Sequence, residues 1–348
     1  MTQAIQAQDW LLIHVTGQLY RKPLRLPEQI IPPLWNDILA SGCTHWQPQK
    51  WLTRLQLLLR SPQGIAPLYQ QLVQHRRRLH SQETIAQITW EHLRACIQSG
   101  ARMCFQGSHE YPPLLNHISD PPTALTVWGH THFPTQPHVA IVGSRKALPE
   151  ATEMSFALGR TFAKQGWVCV SGGAYGCDIA AHQGCLSTEN AGEHTMVVFA
   201  GGLGHLSPTG NQHVFQEILA VGGCLLSEQV WTHRPTRYDF PRRNRILTGI
   251  CSEVVLVQAA HKSGTGITAQ LALEEGREVL VYLPAHDLGP AFAANQQLRH
   301  EGAPHFASIA DFHNCYPWSS SHQRWHPTPR SRLVTPLRGD VYPRPHSG

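Results

Sequence analysis

Residues 171–182 read SGGAYGCDIAAH and lie between an apolar run at 167–170 and a segment of helical character. A turn with three glycines, from strand to helix, lets the backbone approach another group closely. In sheet proteins that group is often a phosphate held at the start of the helix. The stretch therefore predicts a βα unit with a binding turn, and its neighbours in the chain indicate which sheet it belongs to.

The same alternation of strand and helix runs through the middle of the chain. Short continuous apolar runs are typical of strands that are buried on both faces of a parallel sheet. We predict a Rossmann-like, doubly wound α/β domain with a mainly parallel sheet over residues 105–312. Within this domain, a proline-rich connector at 111–129 ends in a short strand, and the regular alternation of strands and helices follows it. Predicted strands are 139–142, 168–170, 196–200, 254–257 and 279–283, and predicted helices are 151–165, 178–186, 214–221 and 267–275.

Both ends of the chain differ from this middle part. Residues 1–104 carry apolar residues near helical spacing, for example Ile85, Ile88, Leu93 and Ile97, and we expect a small all-helical domain there. Residues 313–348 are poor in apolar residues and rich in proline, serine, histidine and arginine. We predict that this part is a flexible basic tail.

Composition restricts the class of protein. The formal net charge is +5, a mild excess that does not by itself indicate nucleic-acid binding. The 9 cysteines form no C-x-x-C pair, which favours reduced, buried thiols, and the 23 histidines are scattered without metal-ligand spacing. No apolar run is long enough for a membrane span or a signal peptide. We expect a cytoplasmic protein that contacts no membrane.

Three turns fall at the carboxyl edge of the predicted sheet, where open α/β sheets bind their ligands. They are Gly143-Ser144-Arg145, the turn with Gly172 and Gly173, and Lys262-Ser263-Gly264. Each precedes or begins a helix, whose first N–H groups and dipole favour an anion. Arginine and lysine on the same edge add charge-assisted hydrogen bonds. The sequence predicts phosphate recognition at this edge, with close helix packing as the alternative reason for the glycines.

Residues 239–245, DFPRRNR, form a second unusual segment, just before an apolar helix predicted from Ile246. Arginine presents a planar fork suited to phosphate, and Phe240 offers a stacking surface for a base. The alternative is an arginine network with Glu228 or Asp239, and both interpretations are compatible. In the preceding glycine turn, Asp178 is predicted to cap its helix and His182 to pack or hydrogen-bond locally.

Familiar catalytic patterns are missing from the sequence. The first predicted strand is followed by GSRKAL, not by G-x-G-x-x-G, and no G-x-x-x-x-G-K-[ST] occurs. No serine or cysteine nucleophile stands in a convincing pattern with histidine and aspartate. We therefore expect no catalytic residue, no cofactor and no metal.

The motifs taken together resemble one family, DNA-processing protein A, also called DprA or Smf. The resemblance runs from residue 111 to about 303 and rests on YPPLL, VAIVGSR at 139–145, VSGGAYGCDIAAHQGCL at 170–186, FPRRNRILTG at 240–249 and SGTGITAQLA at 263–272. The N-terminal part is similar to the family's small helical domain, of the SAM-like or helix-hairpin-helix-like kind, only in length and helical character.

The resemblance implies a protein without enzymatic activity. It implies sequence-independent binding and protection of single-stranded DNA, a homodimer, and help in loading the RecA recombinase during natural transformation. Arg145 would be the main phosphate-binding arginine. The expected DNA-binding residues are Gly143, Ser144, Arg145, Gly172, Gly173, Asn211, His213, Phe240, Arg242, Arg243, Asn244, Arg245, Lys262, Ser263 and Gly264.

The chain departs from the family pattern after the strand at 196–200. Gly204 and Ser207 stand where the family has aspartate and tyrosine, and His213 stands near the place of a lysine or arginine. The segment after Asp311 is too short for the winged-helix-like domain that many members carry. A complete winged helix is therefore not expected.

Two other functions remain open at this stage. One is a Rossmann-like nucleotide phosphoribohydrolase. That reaction requires a carboxylate as general acid or base, and Thr268 or Gln270 stands at the corresponding position. The other is the binding of a small phosphorylated metabolite.

Overall fold

The computed structural model describes residues 6–20, 32–60, 81–131, 133, 136–189, 192–286 and 289–315. Within these residues, nine strands form one sheet in the order β1-β2-β6-β5-β4-β3-β7-β8-β9. Strands β3 to β9 run parallel to one another, while β1 and β2 are antiparallel to their neighbours. The strands are β1 (Arg102–Phe105), β2 (Ala124–Gly129), β3 (His138–Gly143), β4 (Val168–Ser171), β5 (Thr195–Val198), β6 (Cys224–Ser227), β7 (Glu253–Gln258), β8 (Glu278–Tyr282) and β9 (His305–Phe306).

Helices cover the sheet on both faces, which confirms the predicted α/β fold class. They are α1 (Asp9–Tyr20), α2 (Trp35–Ala40), α3 (Pro48–Arg60), α4 (Gln82–Ser99), α5 (Pro149–Lys164), α6 (Cys177–Leu186), α7 (Gln212–Ala220), α8 (Asp239–Ile250), α9 (Gly264–Glu274), α10 (Ala293–His300) and α11 (Ile309–Cys315). Short 3₁₀ segments lie at Cys43–His45, Pro113–His117, Gly192–His194, Thr209–Asn211 and Gly289–Phe292.

Successive side chains of the central strands point to opposite faces, and both faces are apolar. Val139 and Ile141 of β3 belong to the core under α5 and α6, whereas Ala140 and Val142 belong to the core under α8, α9 and α10. Helices after β3, β4 and β5 thus cover one face, and those after β6, β7 and β8 cover the other. This is double winding, and the continuous apolar runs that predicted the strands follow from it.

The point where the winding reverses lies between β3 and β7. The chain leaves β3 toward β4 on one side, while its other neighbour in the sheet, β7, continues toward β8. The loops that follow these two strands diverge at their carboxyl ends and leave a crevice between them.

The N-terminal helices pack on the β1–β2 end of the sheet. A separate apolar cluster joins α1, α3 and α4 to Phe105 and Ala124, and Arg54 forms a buried ion pair with Asp9 at 2.6 Å. Strand β1 straddles residue 104, where the sequence placed the boundary between two domains. The division into a helical domain and a sheet domain remains a prediction.

Several elements differ from the sequence-based prediction. Helix α8 begins at Asp239, not at Ile246, because Pro241 falls in its first turn, where a proline costs no intrahelical hydrogen bond. Helix α9 begins at Gly264 with Ser263 as its cap. Strands β1, β6 and β9 were not predicted. The first three residues of the predicted tail, 313–315, belong to helix α11. Residues 316–348 lie outside the described residues.

Two sequence expectations concern the whole chain. The eight cysteines whose side chains are described lie in buried positions, as the sequence predicted. Across the described ranges, we find no helix that combines the length and hydropathy needed to cross a membrane.

Candidate functional site

A cleft of about 730 Å³ opens at the reversal point, beyond the carboxyl ends of β3 and β7. The turn after β3, the first turns of α8 and α9 and the loop after β7 form its walls. Its lining residues are Val142, Gly143, Ser144, Arg145, Lys146, Ala174, Asp178, Phe240, Pro241, Arg243, Asn244, Leu247, Gln258, Ala259, Ala260, Ser263, Gly264, Thr265, Ile267, Thr268 and Ala291.

Arg145 is an exposed cation in the turn after β3. Its guanidinium carbon lies 4.9 Å from the ring centroid of Phe240, the second residue of α8. This cation–π contact orients the guanidinium without covering its N–H groups with a carboxylate. An anion in the cleft can therefore still accept hydrogen bonds from Arg145, and the Phe240 ring offers an aromatic surface beside it.

Arg243 forms the buried floor of the cleft. It is 7% exposed and donates from Nη1 to the carbonyl oxygens of Gly172, at 3.0 Å, and Val198. Burial lowers the pKa of Arg243 to about 10, an effect that nearby Arg145 reinforces and Asp178 opposes. The guanidinium stays protonated at neutral pH and places a fixed positive charge under the site.

Asp178, in the first turn of α6, interacts electrostatically with this charge. Burial raises the pKa of its carboxyl group, while Arg243 and backbone N–H groups, including that of Ala174, act to lower it. The N–H of Ala174 donates to Asp178 Oδ2 at 3.4 Å. The prediction that Asp178 caps its helix is wrong, because the N-cap is Gly176 and has no side-chain cap hydrogen bond; Asp178 instead holds the turn that precedes the helix. His182, four residues on, is buried with its Nδ1 2.8 Å from the hydroxyl of Thr195, which ties α6 to β5.

The glycines of the second turn permit very close packing. A Cβ on Gly172 would lie 2.6 Å from Nη1 of Arg243 and 2.8 Å from Oδ2 of Asp178. Gly176 has φ of +76°, and a Cβ there would lie 2.3 Å from the carbonyl oxygen of Ser144. Glycine is therefore required at Gly176, where the backbone of the turn after β4 packs against the backbone of the turn after β3, whereas a side chain at Gly172 would displace the ends of Arg243 and Asp178.

The first turn of α9 closes the opposite wall. Ser263 caps the helix by accepting a hydrogen bond from the Gly266 N–H at 3.1 Å, and Thr265 donates to the carbonyl of Gly143 at 3.1 Å. Asn244 donates to the Thr268 hydroxyl at 2.7 Å. Since the N-terminal turn of a helix carries partial positive charge, this wall also favours an anion.

Arg242 and Arg245 lie outside the cleft lining, on the side of α8 that faces buried Glu228. Arg242 Nε is 3.2 Å and Arg245 Nη2 is 2.6 Å from the Glu228 carboxylate, and Arg245 Nε is 3.2 Å from Asp120. The network alternative therefore describes these two arginines, whereas Arg243 and Asn244 line the cleft. Asp239 pairs with His233 instead, at 2.9 Å.

The remaining predicted residues lie outside the lining of the cleft. Gly173 carries the carbonyl to which buried Asn211 donates at 3.0 Å, so Asn211 positions the second turn. His213 and Lys262 are exposed, and Lys262 has φ of 53°, which is unusual for a residue with a side chain.

The sequence-based reading missed two lining residues that bear on the chemistry. Lys146 is an exposed cation adjacent to Arg145 in the quoted motif, so its position along the chain was the available signal. Gln258, the last residue of β7, is buried and accepts from the Leu148 N–H at 2.8 Å, which ties β7 to the turn after β3. Only the structure shows that contact.

The part of the chain that contains these turns matches the model of one protein family. The model of DNA recombination-mediator protein A matches residues 102–317, more than half of the chain. The chain belongs to this family. The matched region includes all three turns and the first turn of α8, and the resemblance read from the motifs is confirmed.

Characterised relatives support the assignment. The DNA processing protein DprA of Bacillus subtilis is 34% identical over 205 residues, covering 59% of this chain and 67% of the relative. Protein Smf of Escherichia coli is 35% identical over 196 residues, covering 56% of this chain and 51% of the relative. The chain thus spans about half the length of the E. coli protein.

Two solved structures are similar to the fold. DNA processing protein A from Helicobacter pylori, described as having a unique single-stranded DNA binding mode, is 31% identical with a TM-score of 0.54, covering 61% of this chain and 94% of that one. DprA from Streptococcus pneumoniae is 24% identical with a TM-score of 0.58, covering 81% of this chain and 97% of that one. The latter supports the fold alone.

Proposed function

We propose that the cleft between β3 and β7 binds single-stranded DNA without sequence preference. The observation that carries the proposal is the pairing of Arg145 with Phe240 at the mouth of the cleft, above the buried charge of Arg243. A cation for phosphate and an aromatic ring for a base, side by side, match the two repeating parts of a nucleotide strand.

Two further features support phosphate as the anion. Lys146 adds a second exposed cation, and the first turn of α9 adds a helix N-terminus on the facing wall. The carboxyl group of Asp178 is next to Arg243 and holds a backbone N–H. The negative charge in the wall is therefore compensated within the protein, and the exposed cations are left for the ligand.

Lack of sequence preference follows from the same chemistry. Phosphate contacts carry no base information, and stacking accepts any base. Asn244, which has the groups to read a base edge, is occupied: its Nδ2 donates to Thr268, and its Oδ1 accepts from Arg243 Nε at 3.0 Å. A duplex hides its base faces, so the proposed site favours the single strand.

We propose that the chain acts as a recombination mediator without enzymatic activity, in the cytoplasm and as a homodimer, and that it protects incoming DNA and helps to load RecA during natural transformation. The name of its family, DNA recombination-mediator protein A, supports the role in recombination. The single-stranded DNA binding stated for the H. pylori protein supports the choice of ligand.

The phosphoribohydrolase alternative is less well supported by the geometry. Gln270 extends toward Glu274, with its Nε2 3.4 Å from that carboxylate, and Thr268 is hydrogen-bonded to Asn244. Among the described residues of the cleft lining, Asp178 carries the carboxyl group, and its oxygen is engaged by the turn. Release of free base from nucleoside monophosphates would establish the alternative.

The first experiment is a titration of labelled oligothymidylate, followed by fluorescence anisotropy at several salt concentrations, beside the matching duplex. We expect preference for the single strand and a logarithmic salt slope of about −0.7 per phosphate neutralised. Competition with nucleoside monophosphates separates DNA binding from binding of a small metabolite. A folded protein that binds no single strand, or binds the duplex equally well, would contradict the proposal.

The Arg145→Ala substitution tests the residue that carries the proposal. We expect about tenfold weaker binding to oligothymidylate and a slope about 0.7 shallower, because one phosphate contact is lost. The free energy of unfolding should hardly change, since Arg145 is exposed. Arg160→Ala is the matched control: it removes an exposed arginine near the far end of α5, toward the amino edge of the sheet. Equal binding by the two variants would remove Arg145 from the site.

A further inference from the structure

Tyr238 is the aromatic residue directly before α8, and 60% of its side chain is exposed. The guanidinium carbon of Arg237 lies 4.7 Å from its ring centroid, and Arg237 Nη2 donates to the Tyr238 hydroxyl at 2.5 Å. One arginine thus holds the ring while much of it remains open to solvent. The arrangement repeats the pairing of Arg145 with Phe240 two residues further along the chain.

The backbone that presents this pair is fixed. The carboxylate of Asp239 accepts hydrogen bonds from the Thr236 N–H at 2.7 Å and the Thr236 hydroxyl at 2.8 Å, and it lies 2.9 Å from Nε2 of His233. Further back, the carbonyl of His233 accepts from the Gly202 N–H at 2.9 Å. Tyr238 therefore stands on a loop that is anchored to both α8 and the turn after β5.

This anchoring places Tyr238 on the same edge of the sheet as the cleft. The loop follows β6 and touches the turn after β5, and both lie on the carboxyl side of the parallel strands. Phe240, in the cleft lining, is two residues away. The loop that carries Tyr238 therefore lies on the β5 and β6 side of the cleft, at the same edge of the sheet.

We propose that Tyr238 and Arg237 form a second nucleotide subsite outside the cleft, in which a base stacks on the Tyr238 ring and the adjoining phosphate contacts Arg237. The ligand class is a nucleotide of the same single-stranded DNA that enters the cleft, so the subsite rests on the proposed function. A rigid ring beside an arginine suits stacking, because little side-chain freedom is lost on binding.

The test separates base contacts from phosphate contacts by using two polymers. One is a labelled oligothymidylate of about 30 nucleotides, long enough to cover more than one subsite. The other has the same length and the same phosphates but is abasic throughout. Wild type, Tyr238→Ala, Tyr238→Phe and Phe156→Ala are titrated with both by fluorescence anisotropy at several salt concentrations. Phe156 is an exposed aromatic of α5 and serves as the matched control.

We expect Tyr238→Ala to bind oligothymidylate about fivefold more weakly, at the low end of what stacking contributes. Its affinity for the abasic polymer and its salt slope should equal those of wild type, because no charge is removed. Tyr238→Phe, which keeps the ring, and Phe156→Ala should bind both polymers like wild type.

Tight binding of oligothymidylate by Tyr238→Ala would overturn the subsite while leaving the cleft intact. An equal loss on the abasic polymer would also overturn it, since the ring would then act on the backbone or the fold. Failure of wild type to bind either polymer would instead remove the proposed function of the cleft and the subsite with it. A thermal melt of each variant confirms that it is folded before titration.

Discussion

The two sides of helix α8 use the same residue type for opposite purposes. On one side, Arg243 lines the cleft and Phe240 holds the exposed Arg145. On the other side, Arg242 and Arg245 pair with Glu228. The cleft side leaves cations available to a ligand, whereas the network side neutralises them within the protein.

This difference follows from the helical period. Residues 242 and 245 are three apart and share a face, while residue 243 is rotated by about 100°. A run of arginines in a sequence is therefore not a uniform basic patch once it is helical. Each arginine must be assigned to the carboxylate or the opening that its face meets, and three predictions test the assignment.

The largest expected effect is on stability, from Glu228→Gln. The substitution leaves two largely buried guanidinium groups without their shared carboxylate, and breaking such a pair costs about 3 kcal/mol in the free energy of unfolding. Urea unfolding measures the loss, and the salt slope of DNA binding by the folded fraction should not change. Glu217→Gln, on the exposed face of α7, is the control. A loss below about 0.5 kcal/mol would mean that the network side is not structural.

Arg243→Gln changes a residue that both lines the cleft and holds the surrounding backbone in place. It removes the hydrogen bonds to Gly172 and Val198 and the charge beside Asp178. We expect a loss of about 2 kcal/mol at neutral pH and weaker DNA binding as well. DNA affinity and the free energy of unfolding should therefore both decrease in this variant, whereas Arg145→Ala should lower only the DNA affinity.

The pH dependence of this loss has a definite sign. Burial raises the pKa of Asp178 and Arg243 opposes that rise, so removal of the guanidinium raises the pKa further. A carboxyl group whose pKa is higher in the folded state stabilises the protein at low pH, and this stability is lost as pH rises through the folded pKa. The difference between wild type and Arg243→Gln in urea unfolding should therefore grow from pH 4 toward pH 7. Arg243→Lys, which keeps the charge, should show a flatter dependence, and an inverted trend would contradict the assignment.

The sequence predicted the architecture better than the orientation of its side chains. Continuous apolar runs identified five central strands, and their alternation with helices implied a cleft at the carboxyl edge. Strands β1, β6 and β9 escaped prediction, and the two residues of β9 are too few to show any periodicity. The start of α8 was placed seven residues late because Phe240-Pro241-Arg242 reads as a loop, and without that helix the faces of the arginines cannot be assigned. The contact of Gln258 with Leu148 spans 110 positions of the chain, beyond any local pattern.

The smallest expected effect comes from His213→Lys, which tests how far the cleft side extends. His213 is exposed in the first turn of α7, near the place where the family pattern has a basic residue, and it lies outside the cleft lining. If the bound single-stranded DNA passes over the turn after β5, the added charge should strengthen DNA binding about twofold and steepen its salt slope by up to about 0.7. Ala220→Lys adds the same charge at the other end of α7, near the amino edge of the sheet, and should change little. The two lysine variants carry the same net charge and differ only in their distance from the bound DNA. Equal DNA affinities and salt slopes would therefore mean that the DNA path ends before it reaches β5.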